Sequence, residues 1–164
     1  MRSRIGAGIV AGLVAGIVWG VLLTLMQTPM PPGDTPSMMT RIGRAVGSES
    51  LAAAWGAHLL ISVALGVLFA LIVGRRARRP EAAVAGGLAY GLVVWAIGGQ
   101  VVMPLLLGEP VFGFVRTLGA IPYAIGSLLG HVIFGTVLGG GVAWLNRTDE
   151  AQPTARSARR RRAA

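Results

Sequence analysis

Four long apolar runs follow one another along the chain, separated by segments that contain charged residues. The runs cover residues 5–26, 51–73, 82–107 and 121–145, and none of them contains Asp, Glu, Lys or Arg. A helix needs roughly 20 residues to cross a hydrocarbon core of about 30 Å. A charge at mid-membrane costs at least about 2.5 kcal/mol on insertion scales. The pattern therefore predicts an all-α fold, a polytopic membrane bundle of four helices.

The positions of the arginines predict the orientation of this bundle. All fifteen basic residues are arginines, and twelve of them lie in the N-terminus, the loop after the second run and the C-terminus. The other two loops carry three, Arg41, Arg44 and Arg116. Because cytoplasmic segments are enriched in Lys and Arg, both termini are expected to be cytoplasmic in a bacterial inner (plasma) membrane. The net charge of +9 then needs no nucleic-acid partner, and its expected partner is anionic lipid headgroups.

The segments outside the runs have distinct predicted roles. Residues 28–50 open with prolines and continue, over 37–46, as a possible short amphipathic helix in the membrane interface. Residues 108–120 have a similar interfacial character. Residues 148–164 are polar and end in consecutive arginines, so a disordered basic cytoplasmic tail is expected after a transmembrane domain of residues 1–147.

Comparison of the chain with itself indicates an internal repeat. The rare residues that coincide at an offset of 73 are His58 with His131, Gln27 with Gln100, and Met30 with Met103. At an offset of 75, residues 12–18 align with 87–93, so a bulge or kink is needed where the two registers change. The prediction is two tandem hairpins, about residues 5–74 and 80–147, arranged as parallel repeats about a pseudo-two-fold axis along the membrane normal.

Glycines recur at four-residue spacing within the runs. They are Gly8, Gly12, Gly16 and Gly20 in the first run, Gly87 and Gly91 in the third, and Gly126, Gly130, Gly135 and Gly139 in the fourth. Small residues at this spacing let helix backbones approach closely in lipid. The pattern is typical of close packing within the bundle, and it also fits a homo-oligomer or a larger membrane complex.

The two intramembrane histidines are the candidate functional residues, because an unpaired imidazole in hydrocarbon is costly. His58 and His131 could each hydrogen-bond a carbonyl, or Gln27 and Gln100, and fix helix register. They could instead be the two axial ligands of a haem. Together with Met30 or Met103 they could bind Cu(I). A proton, quinone or small-solute site is the fourth interpretation.

No pattern in the sequence supports catalysis. The chain has no cysteine, which excludes disulfides and thiolate metal sites. No Walker-type loop, His-Glu-x-x-His or Gly-x-Ser-x-Gly motif occurs. The acids nearest the bundle, Asp34, Glu49 and Glu109, lie in the outer loops and are expected to be solvated or capping groups. The chain is therefore expected not to be an enzyme.

Residues 55–70, which contain Trp55, His58 and Ser62, together with Gly130 and His131, resemble uncharacterised small bacterial and archaeal membrane proteins. That family, a domain of unknown function, has four helices, a duplicated hairpin and a histidine at the start of the even-numbered helices. The resemblance implies a fold and no activity. The leading hypothesis is an accessory or structural subunit of a membrane complex. The alternatives are a haem- or metal-binding electron-transfer or metal-handling protein, and a small-solute transporter.

Overall fold

The computed structural model describes residues 4–27, 37–73 and 79–162, with side chains as far as residue 147. Within these ranges all regular secondary structure is helical. The helices are α1 (Arg4–Leu25), α2 (Met38–Ala45), α3 (Leu51–Val73), α4 (Pro80–Leu106), α5 (Gly113–Arg116) and α6 (Ile121–Arg162). A single 3₁₀ turn, Leu118–Ala120, precedes α6. The predicted all-α fold is confirmed.

Within the described ranges, four segments are long and apolar enough to cross a membrane. They are Arg4–Leu25, Leu51–Val73, Pro80–Leu106 and Leu118–Arg147, and they coincide with the four apolar runs of the sequence. The third begins with Pro80 in its first turn and with Glu81 beside it. Proline is pre-organised for the first helical position, and a carboxylate there complements the helix dipole. Local sequence thus defines both the length and the start of this helix.

Helix α2 is the short amphipathic helix predicted over residues 37–46. Ser37 caps its N-terminus, where the side-chain oxygen accepts a hydrogen bond from the Thr40 amide at 3.2 Å. Gly47, at φ 75°, turns the chain at the other end. The buried face of α2 includes Met38, Met39 and Arg41. Because α2 packs on α3 and α1, it covers one end of the bundle.

The long helices associate as two hairpins. Helix α1 packs along α3, α4 packs along α6, and α1 also packs along α6. In contrast, α3 and α4 contact each other at few positions. The core that joins the hairpins contains small residues from α1, such as Ala11 and Ala15, with Trp19, Phe134 and Leu138. A gap therefore remains between α3 and α4.

Each hairpin closes through glycines. A Cβ atom built on Gly12 of α1 would lie 2.6 Å from the carbonyl oxygen of Ser62 and 3.1 Å from the Cα of Gly66, both in α3. In the other hairpin, a Cβ on Gly87 of α4 would overlap the carbonyl oxygen of Gly135 in α6. Any larger residue at these positions would force the backbones apart.

Helix α4 is not α-helical throughout. Residues Trp95–Val102 form a π-helix, with Pro80–Val94 and Met103–Leu106 as α-helix on either side. The amide of Met103 donates to the carbonyl of Gly98, five residues earlier. Short π-helical turns are frequent at functional sites, and this one borders the gap between α3 and α4.

The C-terminal segment differs from the prediction. Residues from 148 were expected to be disordered, whereas α6 is helical to Arg162. Alanine and arginine, which are common in this segment, are both strong helix formers, so the helix extends beyond its apolar part.

Candidate functional site

A cavity of about 490 Å³ occupies the gap between the two hairpins. Its walls are formed by α3 and α4, its floor by Trp19 of α1 and by Ser127, His131 and Phe134 of α6, and one end by α2. Sites for small molecules in proteins usually measure about 300–1,000 Å³ and are mostly apolar, with a few polar groups. This cavity matches both properties.

The cavity opens sideways between α3 and α4. Ile61 on α3, and Val93 and Ile97 on α4, line it and are each 51–57% exposed. These side chains lie at the middle of apolar helices long enough to cross a membrane. The opening therefore lies on the part of the surface that hydrocarbon would cover.

Tyr90 closes the end of the cavity that is remote from α2. Its hydroxyl donates a hydrogen bond to the carbonyl oxygen of Leu65 at 3.0 Å, which connects α4 to α3. Its ring lies 5.3 Å from the ring of Phe69, centroid to centroid. Sequence reasoning did not single out Tyr90. The available signal was a phenol hydroxyl within an apolar run, since a buried hydroxyl usually finds an acceptor.

An ion pair closes the opposite end. The buried guanidinium of Arg41 in α2 pairs with the carboxylate of Glu109, in the loop after α4, and lies 4.9 Å from the ring centroid of Phe114. Glu109 was expected to be a solvated or capping group, and that expectation is wrong. The two partners are 68 positions apart in the chain, so only the tertiary structure brings them together. The pair joins the two loops over the cavity.

His58 connects α3 to α1. Its Nε2 donates a hydrogen bond to the carbonyl oxygen of Gly16 at 2.9 Å, because a carbonyl can only accept. The ring packs edge-on against Trp55, with centroids 6.2 Å apart. This hydrogen bond between helices is of the kind expected if His58 fixes the register of α3 against α1.

His131 is held differently. Its Nδ1 donates to the carbonyl oxygen of Ser127, one turn earlier in α6, at 2.7 Å. The Trp19 ring packs edge-on against the imidazole with centroids 5.6 Å apart, in space left by Gly130. The other nitrogen, Nε2, has no hydrogen-bond partner among the residues that the structure describes. His131 therefore presents an acceptor nitrogen for which the described part of the chain supplies no donor.

The other predicted site residues are dispersed. Met103 lines the cavity together with both histidines. Gln100 is 1% exposed, and neither atom of its amide finds a partner within the described part of the chain. Gln27 is exposed and pairs with Ser37 in an isolated β-bridge, away from the cavity lining. Met30 lies outside the described residues.

The site has limited capacity for a metal or a haem. Among the described residues, no group of three or more His, Cys, Asp or Glu side chains could hold a metal ion. The free Nε2 of His131 is a possible axial ligand, and its Nδ1 contact is of the kind that orients metal-bound imidazoles. The Nε2 of His58 is engaged by Gly16, so ligation by that nitrogen would require breaking a hydrogen bond between helices.

No family model, curated protein or solved structure matches this chain. A fold alone would not define an activity in any case. The function has to follow from the cavity and from the groups that line it.

Proposed function

We propose that this chain is a non-enzymatic integral protein of a bacterial inner membrane, which binds an apolar molecule from the bilayer in the cavity between its hairpins. The observation that carries the proposal is the sideways opening of a cavity of about 490 Å³ at the middle of apolar helices. An apolar ligand could enter through this opening without passing through water. The few polar groups inside would orient it.

The proposed orientation has both ends and the loop between α3 and α4 in the cytoplasm. The excess of arginine in these segments supports it. The test is a set of reporter fusions after Arg79, Ala164 and Gly108. Cytoplasmic activity is expected at the first two positions and periplasmic activity at the third. A periplasmic signal after Arg79 or Ala164 would exclude this orientation.

We also propose that the bundle arose from two tandem hairpins, and the contacts between backbones support this. Gly12 faces the Ser62 carbonyl in the first hairpin, and Gly87 faces the Gly135 carbonyl in the second. The offset is 75 between the two glycines and 73 between the two carbonyls. These are the two offsets of the sequence comparison. The helices of the two hairpins therefore contact each other at positions that the sequence comparison aligns.

The π-helix supports the same proposal. The offset changes from 75 to 73 between Gly91 and Gln100. Gly91 aligns with Gly16 at an offset of 75, and Gln100 aligns with Gln27 at an offset of 73. The π-helix Trp95–Val102 lies across this interval. A change of offset inside a helix requires a local change in the number of residues per turn, which a π-helix supplies.

Ligand entry can be tested with a brominated hydrocarbon, 1-bromododecane, which quenches tryptophan fluorescence on contact. Trp19 lines the cavity and is 4% exposed, whereas Trp144 is 64% exposed on the outer surface. Two variants in detergent would keep one of these tryptophans each, with the other three changed to phenylalanine. Saturable quenching is expected for Trp19. For Trp144, quenching is expected to rise in proportion to the amount of 1-bromododecane dissolved in the micelle.

A cavity-filling substitution provides the specificity control. Gly98 lines the cavity, and a Cβ built there meets nothing closer than the Val94 side chain at 3.9 Å. Gly98→Leu should therefore fill the cavity and abolish saturable quenching of Trp19. Gly56→Leu places the same side chain in open space on α3 and should leave the quenching unchanged. Non-saturable quenching of Trp19, or no effect of Gly98→Leu, would contradict the proposed binding function.

Haem or copper binding is the second candidate, because both histidines and Met103 line one cavity and Nε2 of His131 has no hydrogen-bond partner among the described residues. Its test is an absorption spectrum with elemental analysis of protein purified at low expression. A stoichiometric haem or copper signal that disappears in His131→Ala would favour this candidate. A colourless, metal-free protein would exclude it.

A further inference from the structure

We infer that the molecule bound in the cavity is a neutral apolar alcohol or phenol whose hydroxyl group donates a hydrogen bond to Nε2 of His131. This inference rests on the proposed function, since it names the chemistry of the ligand that the cavity would take. Three features of the described residues support it: an acceptor without a donor, a cavity without free charge, and room for an additional atom beside the imidazole.

The first feature is the fixed state of the imidazole. Donation from Nδ1 to the Ser127 carbonyl places the proton of a neutral ring on Nδ1. Nε2 then carries a lone pair and can only accept. A polar atom in an apolar site is destabilising unless it finds a partner. The group on a ligand that complements Nε2 is therefore a donor, which a hydroxyl supplies and which a ketone, an ether or a hydrocarbon lacks.

The second feature is the charge balance. Arg41 is the one permanently charged side chain among the described residues that line the cavity, and Glu109 pairs with it. An anionic headgroup would have to displace that carboxylate. A cationic headgroup would find no free anion among the described lining residues. The cavity therefore suits a neutral ligand.

The third feature is the space next to the imidazole. A Cβ built on Gly99 would make only ordinary van der Waals contacts, at 3.6 Å from Cδ1 of Trp95, 3.8 Å from Cε1 of His131 and 3.8 Å from Oγ of Ser127. The absent side chain leaves the imidazole and the hydroxyl accessible from the cavity that Gly99, Ser127 and His131 line. A ligand hydroxyl that donates to Nε2 could accept in turn from the hydroxyl of Ser127, since a hydroxyl both donates and accepts.

The test is competition against 1-bromododecane in the protein that keeps only Trp19. The competitors are 4-nonylphenol, its methyl ether 4-nonylanisole, and nonanoic acid at a pH where it is ionised. The phenol and the ether have similar size and apolarity but differ in the O–H donor. We expect the phenol to compete about tenfold more strongly than the ether, as the loss of one hydrogen bond in an apolar site predicts.

Two variants locate the effect. His131→Phe removes the acceptor and should abolish the preference for phenol over ether, so that the two compete equally. His131→Gln keeps an acceptor oxygen and should retain part of the preference. If His131→Phe fails to fold, the comparison of the two ligands on the parent protein still decides the matter.

The outcomes separate the inference from the proposed function. Without saturable quenching of Trp19 by 1-bromododecane, the proposed function fails. With saturable quenching but equal competition by phenol and ether, the function stands and the hydroxyl inference is overturned. Stronger competition by nonanoate than by the phenol would also overturn it, because an anion would then be the preferred ligand.

Discussion

Replacing Gly12 by alanine should force α1 away from α3. The new Cβ would lie 2.6 Å from the Ser62 carbonyl oxygen, 3.1 Å from the Cα of Gly66 and 3.2 Å from the Cα of Val63. All three are backbone atoms, so no side-chain rotation can relieve the overlap. The helices must separate, and the close contacts along their interface are weakened with them.

The change in the free energy of unfolding for Gly12→Ala follows from two opposing effects. Overpacking a tight interface typically costs about 1–3 kcal/mol. The higher helix propensity of alanine returns at most about 1 kcal/mol. Because the overlap is with rigid backbone, the overpacking cost is expected at the upper end of its range. Gly12→Ala should therefore lower the free energy of unfolding by about 2 kcal/mol.

The assay is unfolding in mixed micelles of a mild detergent and increasing SDS, followed by tryptophan fluorescence and circular dichroism. Gly56→Ala is the matched control in α3, because a Cβ there meets nothing within 4 Å. It should be neutral or stabilising by up to about 1 kcal/mol. Gly87→Ala tests the equivalent contact of the second hairpin, where the Cβ would overlap the Gly135 carbonyl.

Two results would refute this reasoning. If Gly12→Ala and Gly56→Ala have the same stability, the close approach of α1 to α3 does not contribute as described. If Gly12→Ala is destabilising but Gly87→Ala is neutral, the two hairpins do not close through equivalent contacts, and the proposed duplication loses its structural support.

Three further predictions concern polar groups, measured in the same unfolding assay. Tyr90→Phe removes the hydroxyl that donates to a carbonyl of α3 and should cost about 1 kcal/mol. A double-mutant cycle for Arg41 and Glu109 should give a coupling energy of about 1.5–3 kcal/mol, because the guanidinium is buried. Gln100→Met removes an amide without partners among the described residues and should raise stability by about 1–3 kcal/mol.

Each of these predictions has a result that would contradict it. The cycle for the exposed pair Arg44 and Glu49 should give no more than about 0.5 kcal/mol, and a coupling as small for Arg41 would show that burial does not strengthen that pair. Unchanged stability in Tyr90→Phe would show that the hydroxyl does not hold α4 to α3. A loss of stability in Gln100→Met would mean that the amide makes a stabilising contact.

The candidate site was only partly predictable. The sequence indicated both histidines, because imidazole is rare in apolar runs, and both line the cavity. It did not indicate Arg41 or Tyr90, because the position of each side chain depends on a partner in a distant segment. Arg41 pairs with Glu109, and Tyr90 donates a hydrogen bond to α3. Contacts between distant segments leave no local pattern in a single sequence.

The sequence by itself determined the number, length and helical nature of the long segments. The reason is that each uncharged apolar run has the length of about 20 residues or more that a membrane-spanning helix needs, and a helix satisfies its backbone hydrogen bonds within its own segment. It also indicated α2, through the mixture of apolar and polar residues over 37–46 that is typical of an amphipathic helix.

Only the tertiary structure decided what the two histidines do. They coincide when the sequence is compared with itself at an offset of 73, yet His58 donates from Nε2 to another helix and His131 donates from Nδ1 to its own. The neighbours make the difference, because the Gly16 carbonyl lies beside one ring and Trp19 packs against the other. Which nitrogen remains free depends on packing between helices, and that packing is a property of the folded bundle.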